Sequence, residues 1–65
     1  MEKGSTYEVY YKDDTQTRHK TLEFIEANNG LLHFLNNRNR KIEIIPVNNI
    51  IRIQGEKENE GPKNT

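Results

Sequence analysis

The sequence contains no cysteine and no tryptophan, a single alanine, two prolines and no charge excess of either sign. Without cysteine there is no disulfide framework and no thiolate zinc site, and a reducing, intracellular setting is expected. No apolar run approaches the roughly 18 residues of a membrane-spanning helix. The opening residues MEKGSTYE lack the apolar segment of a signal peptide. These absences lead to the expectation of a cytoplasmic protein with no membrane partner. The formal net charge of zero, ten bases against ten acids, is not that of a generic polyanion binder, which carries a strong basic excess. Also missing are a nucleophile elbow, a phosphate-cradling glycine loop and an HExxH pattern. The expectation is therefore a non-enzymatic protein without a cofactor.

At 65 residues the chain is one domain at most. A domain this short buries only about 60% of its unfolded surface. Both charge and apolar residues are unevenly placed. Residues 1–14 carry a net charge of −2, residues 15–55 a net of +3 and residues 56–65 a net of −1. All the apolar residues but Met1 lie between Tyr7 and Ile53. Polar flanks do not repay the entropy of ordering them. Residues 1–5 and 55–65 therefore read as disordered tails, the second acidic, around a folded segment 6–54.

Seven isoleucines, two valines and five aromatics dominate that segment. Such residues favour pleated, half-buried surfaces. Five strands are expected, at about 6–12, 18–27, 31–36, 41–45 and 50–54. Asn29-Gly30 is the strongest hairpin signal, because a type I′ turn needs positive φ at both central residues. Pro46 cannot donate to a ladder and ends the fourth strand, leaving Val47–Asn49 as one short turn. A helix through TLEFIEANNGLLHFL competes locally, but Asn28-Asn29-Gly30 at its centre would cost on the order of 2 kcal/mol.

The expected registers follow from loop lengths. A two-residue turn at Asn29-Gly30 sets Ala27 opposite Leu32, Glu26 opposite His33 and Ile25 opposite Phe34. A three-residue turn at Asn37-Arg38-Asn39, with Asn39 left-handed, pairs Phe34 with Ile42 and Leu32 with Ile44. His33 then lies between Glu26 and Glu43, which reads first as a cross-strand ion cluster and second as a Glu-His-Glu metal site. In the second strand Leu22 and Phe24 share one parity, Ile25 and Ala27 the other. A strand whose inward face switches midway is bent or bulged, and strong bending is what closes a small barrel.

The bent second strand, the long hairpin after it and the closing segment KIEIIPVNNIIRI together resemble the small SH3-like and Sm-like β-barrels. The resemblance covers residues 6–54 and implies an all-β fold, a strongly bent five-stranded antiparallel barrel. His19-Lys20-Thr21 stands where Sm-like proteins usually carry a glycine, and Ile45-Pro46 where they carry Arg-Gly. The SH3 tryptophan and acidic loop are missing too. The resemblance thus implies the fold more than a ring, a uridine site or a peptide groove.

Two surfaces are candidates for function. Arg38, Arg40 and Lys41, interleaved with Asn37, are the residue types that grip phosphates and read base edges. Arg18 and Lys20 add charge, and the outward Tyr10 offers a ring for stacking. Asparagines are equally what tight turns prefer. The first expectation is a nucleic-acid-binding module with RNA or DNA as partner. The second is a protein-interaction module. Leu31, Leu35, Ile45 and Ile50 are expected to face outward, and isoleucine-rich edge strands can pair with another copy to form a homo-oligomer.

Overall fold

The computed structural model describes residues 1–55. The acidic tail expected beyond strand five lies outside them except for Gly55. The elements are β1 (Thr6–Asp13), β2 (Gln16–Asn28), β3 (Leu31–Asn36), β4 (Lys41–Pro46), a single 3₁₀ turn (Val47–Asn49) and β5 (Ile50–Gly55). They form one antiparallel sheet of order β4-β3-β2-β1-β5. Among the described residues no helix is long and apolar enough to cross a membrane.

The 13-residue β2 organises the sheet. Its first part, Gln16–Glu23, pairs with β1, and its second, Glu23–Asn28, pairs with β3. The ladder with β3 shifts register between Phe24 and Glu26, leaving Ile25 as the extra residue of a bulge. This is the parity switch read from the sequence, with one difference: Phe24 rather than Ile25 lies opposite Phe34. The bend lets residues from all five strands meet in one core of Val9, Tyr11, Leu22, Phe24, Leu32, Phe34 and Ile45, with Tyr7, Ile50 and Ile53 packed against it. The Phe24 and Phe34 rings meet edge to face at 5.8 Å. The sheet curls round this core, and its outer strands β4 and β5 are joined by no ladder.

The β2–β3 turn is as expected: Asn29 and Gly30 have φ of 53° and 76°. Glu26 faces His33 and Ala27 faces Leu32. The β3–β4 hairpin differs by one residue. Its loop has four residues, Asn37–Arg40, and the left-handed residue is Arg40 at φ 63°, not Asn39. Asparagine side chains explain the longer loop. Asn36 Oδ1 accepts from the Arg38 amide at 3.0 Å, and Asn39 Oδ1 accepts from the Lys41 amide at 3.0 Å. The Arg40 amide closes the loop on Asn36 O at 2.7 Å.

A one-residue slip exchanges the faces of a strand. Leu32 therefore lies opposite Ile45, Phe34 opposite Glu43 and Leu35 opposite Ile42. Ile45, expected outward, is buried at 3% exposure, while Ile42 and Ile44, expected inward, are exposed. His33 faces Ile44 instead of Glu43, so no Glu-His-Glu cluster forms. No group able to hold a metal ion is found among the described residues. Ile50 is likewise half-buried on the core instead of outward. Here the cause is a register shift in the β1–β5 ladder. Tyr10 pairs with Arg52 and Tyr11 with Ile50, so Ile51 becomes the extra residue and is the one exposed.

The stretch expected as an N-terminal tail is tied to the sheet. Gly4 N donates to Phe24 O and Phe24 N to Ser5 O, both at 2.9 Å. The Glu2 amide donates to the Tyr7 hydroxyl at 2.7 Å. At the other end of the sheet Val47 N donates to Gly30 O at 2.8 Å, fastening the 3₁₀ turn to the β2–β3 turn.

Candidate nucleic-acid interface

Beyond Glu23 towards its N-terminus, β2 has no neighbour on the β3 side among the described residues. The β3–β4 loop stands across this gap. Between them lies an open groove of about 470 Å³ lined by Thr6, His19, Lys20, Thr21, Asn36, Asn37 and Arg38. Three of the residues singled out in the sequence, Lys20, Asn37 and Arg38, thus come together, although 17 positions separate Lys20 from Asn37. Arg40, in the same loop, and Lys41, the first residue of β4, are exposed but do not line the groove.

The floor is a polar network at one end of the core. Lys20 Nζ donates to both oxygens of Glu43, at 2.9 and 3.0 Å. Asn36 Nδ2 donates to Glu43 Oε2 at 3.0 Å. Asn36 is the buried polar residue of the described chain, and its amide is satisfied on both sides, by Glu43 and by the Arg38 backbone. The hydrogen bond to Glu43 raises the Lys20 ammonium above its ordinary value, against the opposing effect of burial and with help from Tyr11. Burial pushes the Glu43 carboxyl up, but Asn36 and Lys20 together outweigh it and hold the group below its usual range. Glu43 is therefore ionised at neutral pH, and it holds the base of the loop through Asn36.

The network also decides which cations are available to a ligand. Lys20 is neutralised by Glu43. Arg18 is neutralised by Asp13, to which its Nε–H donates at 2.8 Å, and it does not line the groove. Arg38, Arg40 and Lys41 make no ion pair among the described residues. Asn37 donates weakly to Glu23 at 3.3 Å. The cationic part of the site is thus the loop itself, with Lys20 as a structural base.

Tyr10 faces outward on β1, as its parity indicates. It does not stand alone: its ring stacks on His19 with centroids 4.1 Å apart and planes 5° apart. On the β5 side the Arg52 guanidinium lies 5.7 Å from the Tyr10 centroid. His19 Nε2 is 3.4 Å from Glu8 Oε1. Sequence reasoning did not select His19, Thr6, Thr21 or Asn36. The signal for His19 was present in DDTQ: a two-residue turn at Asp14-Thr15 sets Tyr10 directly opposite it.

Of the outward aliphatics expected in the sequence, Leu31 is exposed and Leu35 half-buried on the outer face of β3. Ile42 and Ile44 lie beside them on the edge strand β4, at 55% and 53% exposure. Compared with known protein families, curated proteins and solved structures, the chain matches none significantly.

Proposed function

We propose that this chain is a non-enzymatic nucleic-acid-binding module of the cytoplasm, with RNA the favoured ligand. In this reading it is a small barrel of the SH3-like and Sm-like kind. The strand order, the bulged β2 shared between two partners and the single 3₁₀ turn before the last strand support that assignment of fold. The observation that carries the function is the grouping of Arg38, Arg40 and Lys41 at the tip of the β3–β4 hairpin. The β3–β4 loop borders the groove and is braced from below by Asn36 and Glu43. Guanidinium and ammonium groups that make no ion pair among the described residues suit phosphate contacts, which supply affinity without sequence readout. Asn37 and the groove threonines add the neutral donors and acceptors that a base or sugar edge requires.

The test is a fluorescence anisotropy titration of labelled single-stranded RNA and of duplex DNA at low and at physiological salt. Binding that weakens as salt rises, and that is lost in the Arg38→Ala/Arg40→Ala variant, supports the reading. Absence of binding at low salt contradicts it.

A second reading, from a different class, is a protein-interaction module assembling through the same sheet. Ile42 and Ile44 on an unpaired edge strand, with Leu31 and Leu35 beside them, support it. In this reading the expected interface residues Ile45 and Ile50, which belong to the core, give way to Ile42 and Ile44. Sedimentation of the wild type and of Ile44→Lys separates the two: self-association abolished by the variant and insensitive to salt belongs to the second reading.

A further inference from the structure

The Tyr10–His19 pair has a geometry that phosphate binding does not use. Arg52, Tyr10 and His19 are register neighbours on β5, β1 and β2, and their side chains form a column across the outer face of the sheet. One face of the Tyr10 ring is covered by His19, and Arg52 lies over the ring as well. One face of the imidazole is covered by Tyr10. Among the described residues no strand flanks His19 on its other side, because β3 pairs with β2 only from Glu23 onward. His19 is about half exposed there and lines the groove. Its Nε2 lies 3.4 Å from Glu8 Oε1. The column is therefore a short π-stack that ends at the groove.

We propose that the groove takes an unpaired base, stacked on His19 as the next member of this column, so that the interface selects single-stranded nucleic acid over duplex. The proposal rests on the nucleic-acid reading and deepens it. A volume of about 470 Å³ falls within the range of sites that hold a nucleotide-sized molecule. Arg38 lines the same groove and offers a cation for the backbone of such a nucleotide, while Asn37 and Thr21 offer neutral donors and acceptors. Stacking tolerates any base, since every base has a π-face. In a duplex the bases are already stacked and paired, and only phosphates reach the loop. His19 is then a ligand-contacting residue, and Tyr10 is a positioning residue that holds the imidazole plane.

Three labelled probes of equal length test this by anisotropy: a single-stranded RNA, the same backbone without bases, and a duplex. The expected result is at least about five-fold tighter binding of the single strand than of the abasic probe. His19→Ala removes that preference. His19→Phe, which keeps an aromatic ring but not the imidazole nitrogens, retains it. Circular dichroism reports whether each variant is folded; should His19→Ala unfold, the abasic comparison and His19→Phe carry the test. Equal binding of single-stranded and abasic probes, with Arg38→Ala still weakening both, overturns the stacking proposal and leaves phosphate binding standing. Loss of single-strand preference in His19→Phe likewise overturns it, by assigning the role to the imidazole nitrogens. No binding of any probe at low salt removes both this inference and the reading beneath it.

Discussion

Three side chains of the β3–β4 hairpin carry much of the account: Ile45, Glu43 and Arg40. Ile45 fills the core opposite Leu32, while its neighbour Ile44 points to solvent. Ile45→Ala is expected to cost about 2–5 kcal/mol in urea unfolding, as for other buried aliphatics. Ile44→Ala should stay within about 0.5 kcal/mol, as for ordinary surface changes. The reverse ranking would restore the three-residue loop. Glu43 makes a prediction in pH. Its folded carboxyl sits below the ordinary value of 4.5, so its contribution is complete above that value and is lost as pH falls through the lowered one. Lys20 is raised above 10.5, so its contribution is complete below 10.5 and is lost as pH rises through the raised value. The wild type should thus hold a stability plateau at intermediate pH, and Glu43→Gln should flatten its acid limb. Both partners retain solvent contact, so their coupling in a double-mutant cycle should be about 1 kcal/mol or less.

At the scale of elements, strand boundaries were legible because turn residues punctuate this chain at every junction. Asn29-Gly30 gave the β2–β3 register from the turn to Glu26–His33, short of the bulge, through backbone geometry alone. The parity switch from Phe24 to Ala27 announced the bulge. The β3–β4 loop was misjudged by one residue because both loop lengths satisfy local turn chemistry. What decides between them is a contact distant in sequence. Only the longer loop lets Glu43 reach Lys20, 23 positions away, and places Ile45 in the core. The bulge at Ile51 was hidden for a similar reason: Ile50, Ile51 and Ile53 are chemically alike, and only the ladder with β1 assigns their faces. Arg40 in the left-handed region is the cost of the longer loop, since a side chain there is disfavoured by about 1–2 kcal/mol. Arg40→Gly should therefore leave stability unchanged or raise it by up to about 1 kcal/mol. The same variant should weaken nucleic-acid binding. A thermal melt and an anisotropy titration on this one variant separate folding from function, and a drop in both would mean that the arginine side chain holds the loop.

At the scale of the molecule, the neutral formal charge conceals a separation that folding produces. Arg38, at the groove, with Arg40 and Lys41 beside it at the hairpin tip, makes no ion pair among the described residues, while Lys20 and Arg18 pair with Glu43 and Asp13. The loop cluster was legible in the sequence as NNRNRK. The groove was not, because its other wall comes from β2 and only the curvature of the sheet brings the two together. The outer face of β3–β4, with Leu31, Leu35, Ile42 and Ile44, is the competing surface. One measurement weighs the two surfaces directly: a two-dimensional amide NMR spectrum of the labelled protein titrated with short single-stranded RNA at low salt. The account predicts shifts concentrated at His19, Lys20, Asn36–Arg38, Arg40 and Lys41, reversed by added salt. An unchanged spectrum, or shifts confined to Leu31, Leu35, Ile42 and Ile44, would contradict it.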